Sequence, residues 1–129
     1  MGYIASNIGP ILAATLVGLL IGAAYAAGLG QAGAQARRPV VLLVAVVAEF
    51  WIACILAGAL ILAPAGAGRW VMAIGSAVVI WIGFVLPSLL VSYGFRRQPV
   101  GAMLGDAAHW LAVMVAQAAV LEAIGLAHP

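Results

Sequence analysis

The stretch GDAAHWLAVMVAQ, residues 105–117, places Asp106, His109 and Gln117 among residues apolar enough to cross a bilayer. At about 100° per residue these three share one helical face with Trp110 and Val113. Glu49 and Ser88 lie inside two other apolar runs. An ionisable group within a membrane span costs at least ~2.5 kcal/mol on insertion scales, so such groups face a protein interior or a wet cavity rather than lipid. Carboxylate plus imidazole is a minimal proton relay, because both groups can exchange protons at physiological pH. Asp106, one turn from His109, could feed that relay or hold the tautomer of the imidazole. The same groups can equally be hydrogen-bonded glue between helices, with no transport at all. Both readings stay open on the residues alone.

Other chemistry has less support. A metal site needs three or four converging ligands, and Asp106, His109 and Glu49 have a spacing that permits this without indicating it. His109 and His128 are too far apart along one helix to ligate one haem. No phosphate-binding glycine loop, nucleophile elbow, paired-cysteine motif or HExxH is present, so an enzyme is not the favoured reading. Neither a metal nor a cofactor is expected. Cys54, the single cysteine, lies in an apolar run and reads as a small buried side chain.

The elements that must position these groups follow from composition. The chain has 129 residues, 67% hydrophobic and 6% charged, with a mean hydropathy of +1.27, which places it with integral membrane proteins. Apolar runs at 8–27, 40–63, 70–93 and 103–125 each approach the ~20 residues needed to span the hydrocarbon. The expectation is an all-α polytopic protein, a single membrane domain over 1–129 built as an antiparallel four-helix bundle, since the connections are short. Counting along each span puts Glu49, Ser88 and His109 at depths of roughly 9–14 Å, so they could meet in one polar layer. Trp81, Phe84, Ser88 and Ser92 share a face in a regular helix, and Pro87 should kink it while freeing the carbonyl of Gly83. Ala14, Gly18, Gly22 and Ala26 recur every four residues, a stripe that suits close helix packing within the chain or a homodimer seam.

All five basic residues are arginines. Arg37, Arg38, Arg96 and Arg97 lie in the first and third connections and anchor them in the cytoplasm, which leaves Arg69 and both termini on the periplasmic side. Tyr93 and Phe95 read as part of the cytoplasmic anchor, Trp70 as part of an outer aromatic belt. Glu122, near the outer boundary, can reach water or His128. The N-terminus lacks the charged region of a signal peptide, and the run after it is long enough to stay as a helix.

Two stretches carry a resemblance. WIGFVLPSLLVSYGFRRQP has a tryptophan, glycine and phenylalanine before a proline and then an aromatic, basic turn; GDAAHWLAVMV leads from a polar start into an aromatic pair. Together with Tyr25 near the end of the first span, they resemble the family catalogued as domain of unknown function 1761. The resemblance implies a four-helix protein of a bacterial inner membrane and no particular activity. Members often carry a larger aromatic where this chain has His109.

The function that these residues favour is a small transporter or proton-coupled channel using Glu49, Ser88, Asp106, His109 and Gln117. The rivals are a structural or accessory subunit of a larger membrane complex, and a membrane protein that binds lipid or quinone. The bilayer is the expected surrounding, nucleic acid is not an expected partner, and a homo-oligomer is expected on size, a dimer being favoured. A membrane-protein partner fits the accessory reading.

Overall fold

The computed structural model describes residues 1–128, with the backbone alone for 31 and 32. The chain opens with a short helix, α1 (Gly2–Ser6), followed by α2 (Ile8–Gly28) and α3 (Gln31–Ala34), which continues into a 3-10 turn at Gln35–Arg37. Next come α4 (Pro39–Ile61), α5 (Arg69–Ile80), a π-helical turn at Trp81–Val85, α6 (Leu86–Phe95) and α7 (Val100–Ile124). No strand occurs among the described residues. Four helices are long and apolar enough to cross a membrane: Ile8–Gly28, Pro39–Ile61, Arg69–Phe95 and Val100–Ile124.

Local chemistry sets the boundaries. Arg38 is extended and Pro39 starts α4, where a missing amide hydrogen costs nothing and the fixed φ suits the first turn. Between α6 and α7 the connection is tighter than the sequence suggests, and α7 begins at Val100 rather than at Met103. The amide of Gln98 donates to the carbonyl of Tyr93, and that of Arg97 to Gly94, the pairing of a Schellman C-cap. Arg97 adopts φ 50°, the position that glycine usually fills. Extended Pro99 then leads directly into α7.

The last span is the hub: α7 packs against α2, α4, α5 and α6, while α4 also meets α2 and α5. Small side chains make this possible. Ala14, Ala53, Ala57, Ala73, Ala77 and Ala118 are completely buried, together with Ile11, Leu56, Val113 and Leu121. Large apolar side chains such as Val44, Trp51, Val79 and Phe84 point outward, the arrangement expected when lipid is the solvent and packing must replace the hydrophobic drive between helices. The stripe on α2 is consumed inside the chain. Ala14 and Gly18 are buried, Gly22 and Ala26 half-buried, and Gly33 lies so close to the carbonyl of Ala26 that a side chain there would collide.

Pro87 acts through the π turn that precedes it. Without an amide hydrogen, Pro87 cannot donate to Gly83, and the wider turn over Trp81–Val85 absorbs the break. A π turn holds about one residue more than an α turn, so every face beyond it moves by one position. Trp81 still faces α7, its indole donating to the carbonyl of Ala107 at 2.9 Å. Downstream, Leu89 and Tyr93 are half-buried, whereas Phe84, Ser88 and Ser92 are exposed. The shared inward face expected for Trp81, Phe84, Ser88 and Ser92 is therefore corrected: Trp81 alone of the four reaches another helix.

Candidate functional site

Glu49 stands in the middle of α4 and is 3% exposed. Its carboxylate meets Gln117 of α7, whose Nε2 donates to Oε2 at 2.8 Å and more weakly to the main-chain oxygen of Glu49 at 3.3 Å. This contact needs Gly18 of α2. A Cβ there would overlap the Glu49 carboxylate and lie 2.6 Å from Gln117 Nε2, so three helices converge only because the third has no side chain. Among the described residues the ion pair found is Arg69–Glu122, and none involves Glu49. The carboxylate is thus buried against one neutral amide.

One turn along α2, Gly22 faces His109: the Nε2 atom lies 3.7 Å from where a Cβ would sit. The imidazole stacks on Tyr25, ring centroids 4.5 Å apart and planes 11° from parallel, with Trp110 tilted beside it at 5.2 Å. Tyr25 also donates its hydroxyl to Asp106 Oδ1 at 2.6 Å, and Tyr93 donates to Oδ2. Each carboxylate oxygen of Asp106 therefore has a phenol from a different helix, which ties α2 and α6 to α7 near the arginine-bearing connections.

The expected polar layer thus divides. Glu49 and Gln117 form one centre; Asp106 and His109, with Tyr25 and Tyr93, form a second. Ser88 belongs to neither, because the π turn carries it outward and its hydroxyl donates to the carbonyl of Phe84 on its own helix. Asp106 makes no hydrogen bond to His109 among the described residues, its oxygens being occupied by the two phenols. Glu49, Asp106 and His109 do not converge on a point where a metal ion could sit. Glu122 pairs with Arg69 at 2.7 Å rather than with His128. That pair walls a cavity of about 440 Å³ at the end carrying the termini, lined also by Met72, Leu126 and His128 and by no residue of either centre.

Four polar residues gain roles that sequence reasoning missed. Tyr25 and Tyr93 looked like boundary aromatics, since nothing in their spacing names Asp106 as a partner. Asn7 is 1% exposed and clasps the tail, Nδ2 donating to the carbonyl of Ala127 at 3.0 Å while Oδ1 accepts from its amide at 2.6 Å. Thr15 is buried and turns its hydroxyl back to Ile11 at 2.8 Å. An asparagine just before a long apolar run was the available signal for the first of these. Along the interior, from one end to the other, stand Tyr93, Asp106, His109, Gln117, Glu49, Thr15 and Asn7.

No curated protein and no solved structure matches the chain. The family described as protein of unknown function (DUF1761) matches residues 3–122, a span that includes both centres, the first three membrane-capable helices and all but the last two residues of the fourth, and the chain belongs to that family.

Proposed function

We propose that the protein is a proton-conducting or proton-coupled transporter of a bacterial inner membrane, an antiparallel four-helix bundle with both termini periplasmic, in which Glu49 is the group that takes up and releases the proton. The observation that carries this reading is the burial of Glu49 against Gln117 with no ion-pair partner among the described residues. A structural tie at that depth works as well with two neutral amides and avoids the cost of a carboxylate in hydrocarbon. A carboxylate adds the capacity to exchange a proton. His109, one helical turn towards the arginine-bearing end, is the next group that can do so. The antiparallel arrangement is supported by pairs at opposite ends: Asn7, just before α2, with Ala127, just after α7, and Tyr25 of α2 with Asp106 of α7; Arg69 with Glu122 and Tyr93 with Asp106 on the third and fourth spans.

The structural reading is favoured at one place. Asp106, with each oxygen on a tyrosine, is assigned to holding α2, α6 and α7 together. A homo-oligomer, a dimer foremost, belongs to the same proposal, with a seam elsewhere than the Ala14–Ala26 row that the chain itself fills.

Proteoliposomes holding a pH gradient, with the membrane potential clamped, test the reading. The native protein is expected to dissipate the gradient and Glu49→Gln to lose at least nine-tenths of that flux while keeping its fold, a threshold below the about 10²–10⁴-fold that a positioned proton-transfer group contributes. Absence of flux in the native protein, or equal flux in Glu49→Gln, overturns it.

A further inference from the structure

Two buried polar atoms accept no hydrogen bond from any described residue: His109 Nε2 and Gln117 Oε1. Buried acceptors of this kind are nearly always satisfied, by protein or by ordered water. Gln117 is fully buried, and its Nε2 is committed to Glu49, which leaves Oε1 for a donor from outside the pair. Both side chains abut the same face of α2. The imidazole edge faces Gly22, and the amide lies against Gly18. Gly18 and Gly22, one turn apart on α2, stand about 6 Å from each other.

The space differs at the two glycines. At Gly18 a Cβ would collide with Glu49, so that position is filled by the carboxylate itself. At Gly22 a Cβ would meet His109 Nε2 at 3.7 Å and nothing else within 4 Å, which leaves room for an atom of methyl or water size with a ring nitrogen as its neighbour. Val113, completely buried, lies on the turn of α7 between His109 and Gln117.

We propose that the groove beside Gly22 is a binding site for water, one or two molecules that join His109 Nε2 to Gln117 Oε1 and the Glu49 carboxylate. This inference rests on the proton-transfer reading of Glu49 and supplies the step that the protein side chains do not span. One water hydrogen points to Gln117 Oε1, which anchors the water beside Glu49; Gln117 is a positioning residue and carries no proton itself. A proton leaves Nε2 of the imidazolium for the water, and the water gives one of its own to a Glu49 oxygen. One N–H bond breaks, one O–H bond forms at Glu49, and the water ends with the composition it began with.

Two substitutions at Gly22 separate hydration from mere geometry. Gly22→Ala puts a methyl group where the water would lie, in van der Waals contact with His109 Nε2 at 3.7 Å but with both titratable residues unsubstituted, and Gly22→Ser returns a hydroxyl to nearly the same place. In the pH-gradient proteoliposome assay, after both variants are shown to melt in detergent within a few degrees of the native protein, flux is expected to fall at least tenfold in Gly22→Ala and to recover to within about threefold of native in Gly22→Ser. Native-like flux in Gly22→Ala, with Glu49→Gln inactive, overturns the water site and leaves the proton reading of Glu49 standing. Equal loss in the two Gly22 variants also overturns it, since a hydroxyl would then be no better than a methyl. No flux in the native protein overturns the site and the reading together.

Discussion

At the scale of single residues, the consequential feature is a carboxylate held by one amide. Gln117→Leu keeps a side chain of similar bulk on α7 but leaves the Glu49 oxygens without their hydrogen-bond donor. An unsatisfied buried group of this kind costs about 1–3 kcal/mol, more for a charged one, so the variant is expected to unfold at measurably lower denaturant in bicelles. Restoration of native stability in the Glu49→Leu, Gln117→Leu pair would identify the loss as the orphaned carboxylate rather than the missing amide. Stability unchanged in Gln117→Leu alone would mean that the contact does not hold the helices. Much of this was legible before the fold. A glutamate in a run such as VVAEFWIAC must face protein, and a 3.6-residue period puts Gln117 and His109 on one stripe. Which stripe meets which depended on Gly18, whose missing side chain reads in sequence only as part of a repeating row.

At the scale of elements, the spans were the easiest part to read and the phase within the third span the hardest. Hydropathy locates a helix to within a few residues, because about 20 apolar residues have one economical conformation in lipid. It carries no information on a turn that holds one extra residue. Pro87 announces a break in the hydrogen-bond ladder, yet a kink and a π turn satisfy that break differently, and only the π turn moves the inward face from Ser88 and Ser92 to Leu89 and Tyr93. That shift is what gives Asp106 its second phenol. The cap at the end of the same span supports a separate expectation. Arg97 occupies the left-handed position of the C-cap at φ 50°, which strains a residue with a Cβ by about 1 kcal/mol. Arg97→Gly is therefore expected to stabilise the protein by roughly 0.5–1 kcal/mol, read as a higher midpoint in detergent unfolding. A lower midpoint would show that the guanidinium makes contributions larger than the backbone strain.

At the scale of the whole molecule, charge and fold must agree about direction. Four arginines, Arg37, Arg38, Arg96 and Arg97, lie at the end where Tyr25, Tyr93 and Asp106 meet, and Arg69 lies at the end where Asn7 clasps Ala127. Translocating a short loop rich in arginine is disfavoured, so the loops with four should stay in the cytoplasm. On the proposed orientation, the His109 and Asp106 centre would stand nearer the cytoplasm, with Glu49 and Asn7 progressively nearer the other face. In a bacterial inner membrane, an alkaline phosphatase fused after residue 128 is expected to be active and a fluorescent protein at the same site dark. Replacing Arg37, Arg38, Arg96 and Arg97 together by alanine removes the bias and should yield both signals from a mixed population, because Arg69 alone gives a weak and opposite preference. A dark phosphatase on the native chain would reverse the orientation and, with it, the order in which a proton from the cytoplasm meets Glu49 and His109.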